Sequence, residues 1–405
     1  MASQPVSASV GWSAAHRGAE AAGAEAAASA LERLAPSAPP QLAIVFGSSW
    51  LDQRALLQGI RSVLRDVPLA GESTAGEITS EGPASHSCVV ALLAIEGLAC
   101  GVGIGKDADR QPREAGQRAA YTALQALRTT RRAGLLLFGD GMVTGYAEVV
   151  RGIQEVLGTS FLIAGGMAGD DLRFSETYQY CQEEVATRSV VGVLLGGTAK
   201  LGVGLEHGFA PISKPRRITR ARANVLLTLD QQPAASVYEE YFGADVVRRM
   251  RDEGLNRQGI AYPLGMQGES ANQWLLRNVV SFGQDGSLAC NGELREGAWV
   301  QLMIGSRELA LEAAGRAAQQ AIRSLNRTAC VLIFDSAVRR RLLGPHHAAM
   351  EIERIRDVVG PSVPVAGGYT YAEQAPFDAG LSTDQLAMQP IATQTGSVLV
   401  AAIGV

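Results

Sequence analysis

Two short runs near the C-terminus bring together the side chains that could handle a small charged molecule. "CVLIFDSAVRR" supplies Asp335, Ser336 and Arg339, and "VAGGYTYAEQ" supplies Gly367, Gly368, Tyr369, Thr370, Tyr371 and Glu373. A guanidinium grips a carboxylate through paired N–H donors, a carboxylate accepts from an ammonium, and tyrosines give apolar walls with polar tips. Adjacent glycines leave backbone amides bare, so a chain can pass close to a ligand. Together the two runs suit a small zwitterion or carboxylated metabolite. The plainer alternative is that Arg339 and Glu373 pair with each other or face water, since loops at strand ends need polar closure.

Catalytic patterns are weaker. No G-x-S-x-G elbow or phosphate loop is present, and "GVGIG" at 101–105 reads as a strand ending instead of a dinucleotide fingerprint. Ser73 and Thr74 stand between glycines without a histidine nearby in sequence to act as base. Ser73 and Ser336 keep a metal-free hydrolase as a distant alternative, while the expectation is a non-enzyme. His207, beside Gly208 and Phe209, is the histidine placed to contact a ligand or haem; a satisfied structural histidine is the competing reading. Cys88, Cys100, Cys181, Cys290 and Cys330 lie far apart, which suggests neither a disulfide framework nor a zinc knuckle, and no metal site is expected.

Those side chains need a scaffold, and the chain repeats itself in a way that supplies one. "AAGAEAAASALERL" (21–34), "EAGQRAAYTALQAL" (114–127) and "EAAGRAAQQAIRSL" (312–325) align without gaps, with alanines on one helical face. After each comes a short strand ending in Phe: "LAIVFGSS", "GLLLFGDG" and "CVLIFDSA". A glycine turn follows in "LAGESTAGE", "IAGGMAGDD" and "VAGGYTYAE", with a carboxylate six places after the first shared glycine at Glu77, Asp171 and Glu373. A long apolar strand closes each copy. Helix, strand, helix, glycine turn and strand make an α/β unit whose sheets are covered by helices. A degraded fourth copy is expected between the second and third, with "ANVLLTLD" as its strand, "PAASVYEEYFG" as its helix and residues 275–305 as a long hairpin. The chain then reads as two domains, each of duplicated units: an N-terminal segment with the first helix over 1–40, one domain over 41–215 and another over 216–405.

These landmarks resemble a family. "PLAGESTAGEI", "HGFAPISKPRRITRARANVLLTLDQQPAASVYEEYFG", "YPLG", "DGSL", "REGAWVQLM" and "PVAGGYTYAEQAP" occur in the order found in FIST proteins, named for F-box and intracellular signal transduction proteins. The resemblance covers about residues 40–405 and implies a sensory module that binds a small ligand, such as an amino acid. In one branch it implies a haem protein that senses nitric oxide. The His207–Gly208 pair is common in the family. Ser336 stands ahead of Arg339 where the family often carries a cysteine, and "IATQTGSV" replaces a frequent His-Asn pair. The pattern leaves only about 40 residues outside it, so the output is expected to pass to a separate partner such as a histidine kinase or diguanylate cyclase.

Bulk properties narrow the field. The 405 residues exceed the size at which one core usually divides, and 47% apolar with 19% charged is a globular composition. A net charge of −4 and the solvated alternation of "KPRRITRARA" argue against nucleic-acid binding. No apolar run reaches the length of a membrane span and the N-terminus lacks a signal-peptide pattern, so a cytoplasmic protein with no membrane contact is expected. No resident cofactor is expected, with haem as the alternative.

Overall fold

The computed structural model describes residues 6–35, 39–253, 260–268, 274–376 and 391–405. Its framework is a mixed α/β unit built three times. In the first copy the strand Val6–Ala14 leads to the helix Ala19–Arg33, the strand Leu42–Ser48, the helix Gln53–Leu64 and the strand Leu69–Thr74. A hairpin, Glu77–Thr79 and Gly82–Ala84, precedes the long strand Ser87–Ile95. The second copy runs in the same order from Leu98–Gly105 to Val190–Gly197, and the third from Lys200–Glu206 to Val398–Gly404. The strand Val6–Ala14 was missed by the helix-centred reading of 1–40, although "VSASVGWSA" alternates as an edge strand does.

Within each copy the two strands flanking the second helix pair in parallel, as in Ala43 with Leu69 and Val331 with Val365, and the remaining pairs are antiparallel. The hairpin does not join its own sheet. That of the second copy, Gln179–Cys181, pairs with Leu69–Thr74 of the first; that of the third, Ala372–Pro376, pairs with Ile163–Met167 of the second; that of the first, Glu77–Thr79, pairs with Val365–Thr370 of the third. Each sheet is completed by the next copy, and the exchange closes on itself. The cycle also covers one edge of each sheet, because the second of its parallel strands receives a hairpin.

The inner faces of the three sheets share one apolar core, which includes Leu42, Ile44 and Phe46, Leu136 and Phe138, and Leu332 and Phe334. Helices cover the outer faces. Their alanines explain how closely they approach: a Cβ on Gly101, Gly103 or Gly105 would fall 1.8–2.3 Å from the carbonyl oxygens of Ala123, Ala119 and Ala115. "GVGIG" is therefore strand backbone pressed against an alanine-faced helix. Among the described residues no helix is long and apolar enough to cross a membrane.

The expected fourth copy is not one. Val225–Leu229 is a strand and Ser236–Phe242 a helix, as read from the sequence, but the neighbours of Val225–Leu229 are all antiparallel. These strands, with Leu264–Gln267, Trp274–Arg277, Val279–Phe282, Leu288–Cys290 and Trp299–Gly305, form a separate sheet with its own core around Tyr238, Met250 and Leu302. This antiparallel insertion interrupts the third copy between its first strand and its alanine-rich helix, Arg307–Ile322. Alternating apolar residues look alike in parallel and antiparallel strands, so periodicity could not separate the two.

Candidate functional site

The C-terminal ends of the paired strands gather at one end of the three-copy assembly. There each chain crosses from its own sheet into its neighbour's, and the glycine turns are the crossing points. A Cβ on Gly71, Gly165 or Gly367 would fall 1.8–2.1 Å from a carbonyl oxygen of the adjacent strand, so these positions exclude side chains. The crossings hold one another: Ala75 N donates to Tyr369 O at 2.7 Å, Tyr369 N to Gly76 O at 2.8 Å, Gly169 N to Ser73 O at 3.0 Å, and Tyr371 N to Met167 O at 2.8 Å.

The residues expected to bind ligand are brought together here, but in two separate networks, and all but Tyr371 and His207 are buried. Arg339 Nε donates to Asp335 Oδ1 at 3.0 Å, Nη1 to His207 O at 2.7 Å, and Nη2 to Ala310 O at 3.0 Å and to Glu351. Its guanidinium is thus committed within the protein, and its ion-pair partners are Asp335 and Glu351, not Glu373. Burial, with Glu351 close by, pushes the Asp335 carboxyl well above its ordinary range. Glu351 escaped the sequence reading because it lies beyond a break at Gly344, where φ is 71°, in the Ala337–Val359 helix. Ser336 caps that helix, accepting from Val338 N and, at 3.0 Å, from Gly396 N. Ser73 donates to Gly169 O and accepts from Tyr178 N, both at 3.0 Å.

The second network holds Glu373. Thr370 Oγ1 donates to it at 2.8 Å, Ser397 Oγ at 2.6 Å and Ser397 N at 3.3 Å. Glu77 repeats the arrangement with Thr74 Oγ1 at 2.7 Å, Ser87 Oγ at 2.6 Å and Ser87 N at 3.0 Å. The third member is Gln179, and not Asp171 as the spacing suggested: Gln179 pairs with Glu72 as Glu373 pairs with Gly166 and Glu77 with Gly368. A longer loop in the second copy moves the chain's return past Asp171, and only the strand register reveals it.

Those residues share a face with Phe46, Phe138 and Phe334, whose rings meet at centroid distances of 5.7–6.3 Å on the pseudo-three-fold axis. Burial raises the Glu77 carboxyl to about 7 and Glu373 to about 8, against their hydrogen bonds. Burial and then the neighbouring Glu373 push Glu72 well above the ordinary carboxylate range.

Outside the crossings lies a solvent-facing cluster drawn from all three copies. Trp50 is 55% and Phe174 53% exposed. The Arg173 guanidinium stacks 4.5 Å over the Trp50 ring, His86 lies 5.6 Å from that ring, and Phe174 stacks on Tyr371 at 5.0 Å. Asp171 sits among Arg340, His86, Arg173 and the Trp50 indole N–H, which oppose the upward push of burial on its carboxyl. His86, Asp171, Leu172 and Phe174 all adopt left-handed backbone, with φ between 51° and 62°. Asp170 holds that loop, accepting from the backbone N–H groups of Phe174, Ser175 and Glu176 at 2.8–3.1 Å and from the Tyr371 hydroxyl. Left-handed backbone at non-glycine residues is costly and persists only where the surrounding structure fixes it. Trp50, Arg173 and Phe174 carry no signal in sequence, since each sits in a loop of unremarkable composition.

A haem ligand is not well provided for. His207 Nδ1 accepts from Phe209 N at 3.0 Å, and burial, then Arg339 and Arg316, lower its pKa to about 4. Burial pushes the thiols up, Cys100 and Cys181 to about 11, Cys290 and Cys330 to about 12, and Cys88 further, which disfavours the thiolate a metal would need. With Nδ1 accepting from Phe209 N, the neutral His207 ring carries its proton on Nε2 and keeps no free lone pair for iron, and the neutral thiols likewise do not fit an axial ligand set. Among the described residues no three His, Cys, Asp or Glu groups converge as a metal site.

The model of the FIST N domain matches residues 41–232 and that of the FIST C domain residues 234–376. An uncharacterized protein of Methanocaldococcus jannaschii is 24% identical over 281 residues, 64% of this chain, which spans about half of that relative's length (53%). Among solved structures, a cyanuric acid hydrolase from A. caulinodans aligns over 99% of this chain and all of its own, at 11% identity and a TM-score of 0.37. The PurL protein of T. maritima in complex with FGAR aligns over 98% of this chain and 72% of its own, at 12% identity and a TM-score of 0.24. These two likenesses are too distant to support an inference.

Proposed function

Because the chain belongs to the FIST family, whose domains are sensory domains of signal transduction, we propose that it is a binding module for a small zwitterion. An amino acid or related carboxylated metabolite is the ligand class, and a separate signalling protein, such as a histidine kinase or diguanylate cyclase, is the recipient. The observation that carries this reading is the outer cluster. Arg173, whose Nε and Nη2 are anchored on Asp170 O and Ser49, presents its remaining Nη1 to a ligand carboxylate, Asp171 an anion to its ammonium, and Trp50 and Phe174 an apolar wall, with Asp171 and Phe174 on a loop of left-handed backbone. The loops come from different copies, so a ligand joining them would tighten their mutual packing, and a partner could read that change. Binding and not catalysis is the proposed activity: Ser73 and Ser336 are hydrogen-bonded to backbone, and neither has a histidine partner among the described hydrogen bonds.

A thermal-shift panel of amino acids and small carboxylates tests this reading, since occupancy raises the melting temperature in step with affinity. A stabilising compound is expected to lose its effect in Asp171→Asn and in Trp50→Ala, while both variants keep the wild-type far-ultraviolet circular dichroism. A compound whose stabilisation survives both substitutions would place the ligand elsewhere and overturn the assignment.

A further inference from the structure

We propose that the core of the pseudo-three-fold axis, around Glu72, Gln179 and Glu373, is a second and internal binding site, for a water-sized cationic hydrogen-bond donor of the ammonium type. Among the three equivalent strand positions Glu72 alone carries a side chain, because the corresponding residues of the other two copies are Gly166 and Gly368. Its carboxyl reaches from the first copy across to the second: a Cβ on Gly166 would lie 3.1 Å from Glu72 Oε1, 2.6 Å from Phe334 Cδ1 and 2.7 Å from Thr370 Cγ2. Glu373 is the strand partner of that same Gly166, and Gln179 is the partner of Glu72 itself.

Hydrogen bonding separates Glu72 from its neighbours. Glu77 and Glu373 each accept from three donors. Both oxygens of Glu72, and Oε1 of Gln179, are fully buried with no donor. Leaving such acceptors bare is costly, and native structures rarely do so without a bound water, ion or ligand to supply the donors. The group that fits must donate to several acceptors at once and suit a carboxylate. It must also tolerate the rings of Phe46, Phe138 and Phe334, which are the strand partners of Glu72, Gly166 and Gly368. An ammonium ion meets all three demands, with four N–H donors and a charge compatible with aromatic neighbours. A metal ion is disfavoured, because no three potential metal ligands converge among the described residues. The interlocked crossings at Ala75, Gly169 and Tyr369 lie between this core and the outer cluster, so the two sites are distinct.

The test uses the whole protein. Melting temperatures are compared in ammonium chloride and in sodium chloride at matched ionic strength and pH 7, and the protein equilibrated with 15N-ammonium is examined by NMR. Expected are a rise specific to ammonium, a 15N-bound proton signal protected from solvent exchange, and an affinity about tenfold weaker in Glu72→Gln, which keeps the shape but cannot ionise to meet the cation. Equal responses to the two salts, or the absence of a protected signal in the wild-type protein, would overturn the proposal even if the variant failed to fold. So would a Glu72→Gln protein that binds as tightly as wild type.

Discussion

Raising the pH should loosen this protein through its axial carboxyls, and Glu373 allows the size of the effect to be worked out. Folded Glu373 holds its proton up to about pH 8, whereas an unburied glutamate releases it near 4.5. Between those values the unfolded chain has given up a proton that the folded chain retains, so the folded state loses stability as pH rises. The loss approaches about 1.36 kcal/mol per pH unit, complete once the pH has passed through the folded value. From pH 5.5 to 7.5 the Glu373 contribution integrates to about 2.5 kcal/mol. With an unfolding entropy of about 2.1 cal/mol/K per residue, that corresponds to about 3 °C in melting temperature for a chain of this length. The assay compares melting temperatures of wild type and Glu373→Gln across this range. The substitution changes stability by a constant offset, because an amide now faces Ser397 and Thr370, but it removes the titration. Glu72 and Glu77 remain in both proteins, so the difference in slope reports Glu373 together with its electrostatic push on Glu72. Wild type should fall by about 3 °C more than the variant between pH 5.5 and 7.5. Parallel profiles, or a variant that falls more steeply, would refute the view that this carboxyl is buried with its proton.

Replacing Arg339 with Met leaves Asp335 and Glu351 buried beside each other without their shared cation, and should cost about 3 to 5 kcal/mol. Denaturant melts measure it, and a loss below about 1 kcal/mol would show the network to be more open than described. Haemin added to the purified protein should give no sharp Soret band; a sharp band that shifts with nitric oxide and disappears in His207→Ala would reverse the conclusion drawn from the engaged Nδ1 of that imidazole.

The helices, the Phe-ending strands and the glycine turns were legible because each is local. Ala119, Ala120 and Ala123 recur at helical spacing, the strand residues are continuously apolar, and Gly71, Gly165 and Gly367 stand where any side chain would strike a neighbouring carbonyl. Two of the three turn carboxylates, Glu77 and Glu373, could likewise be found by counting, since the intervening turns have one length. Tertiary structure decided the rest. Gln179 took the place assigned to Asp171 because cross-strand register, not sequence distance, sets which side chains face the axis. Arg339 turned inward because Glu351, past a helix break, and two backbone carbonyls offered it more than solvent did. The exchange of hairpins is equally silent in sequence: a strand edge accepts any partner with free N–H and C=O groups, so backbone hydrogen bonding carries no record of which copy will supply it. That exchange brings the unpartnered Glu72 and the exposed Trp50 and Arg173 into their settings, through contacts between residues about a hundred or more positions apart.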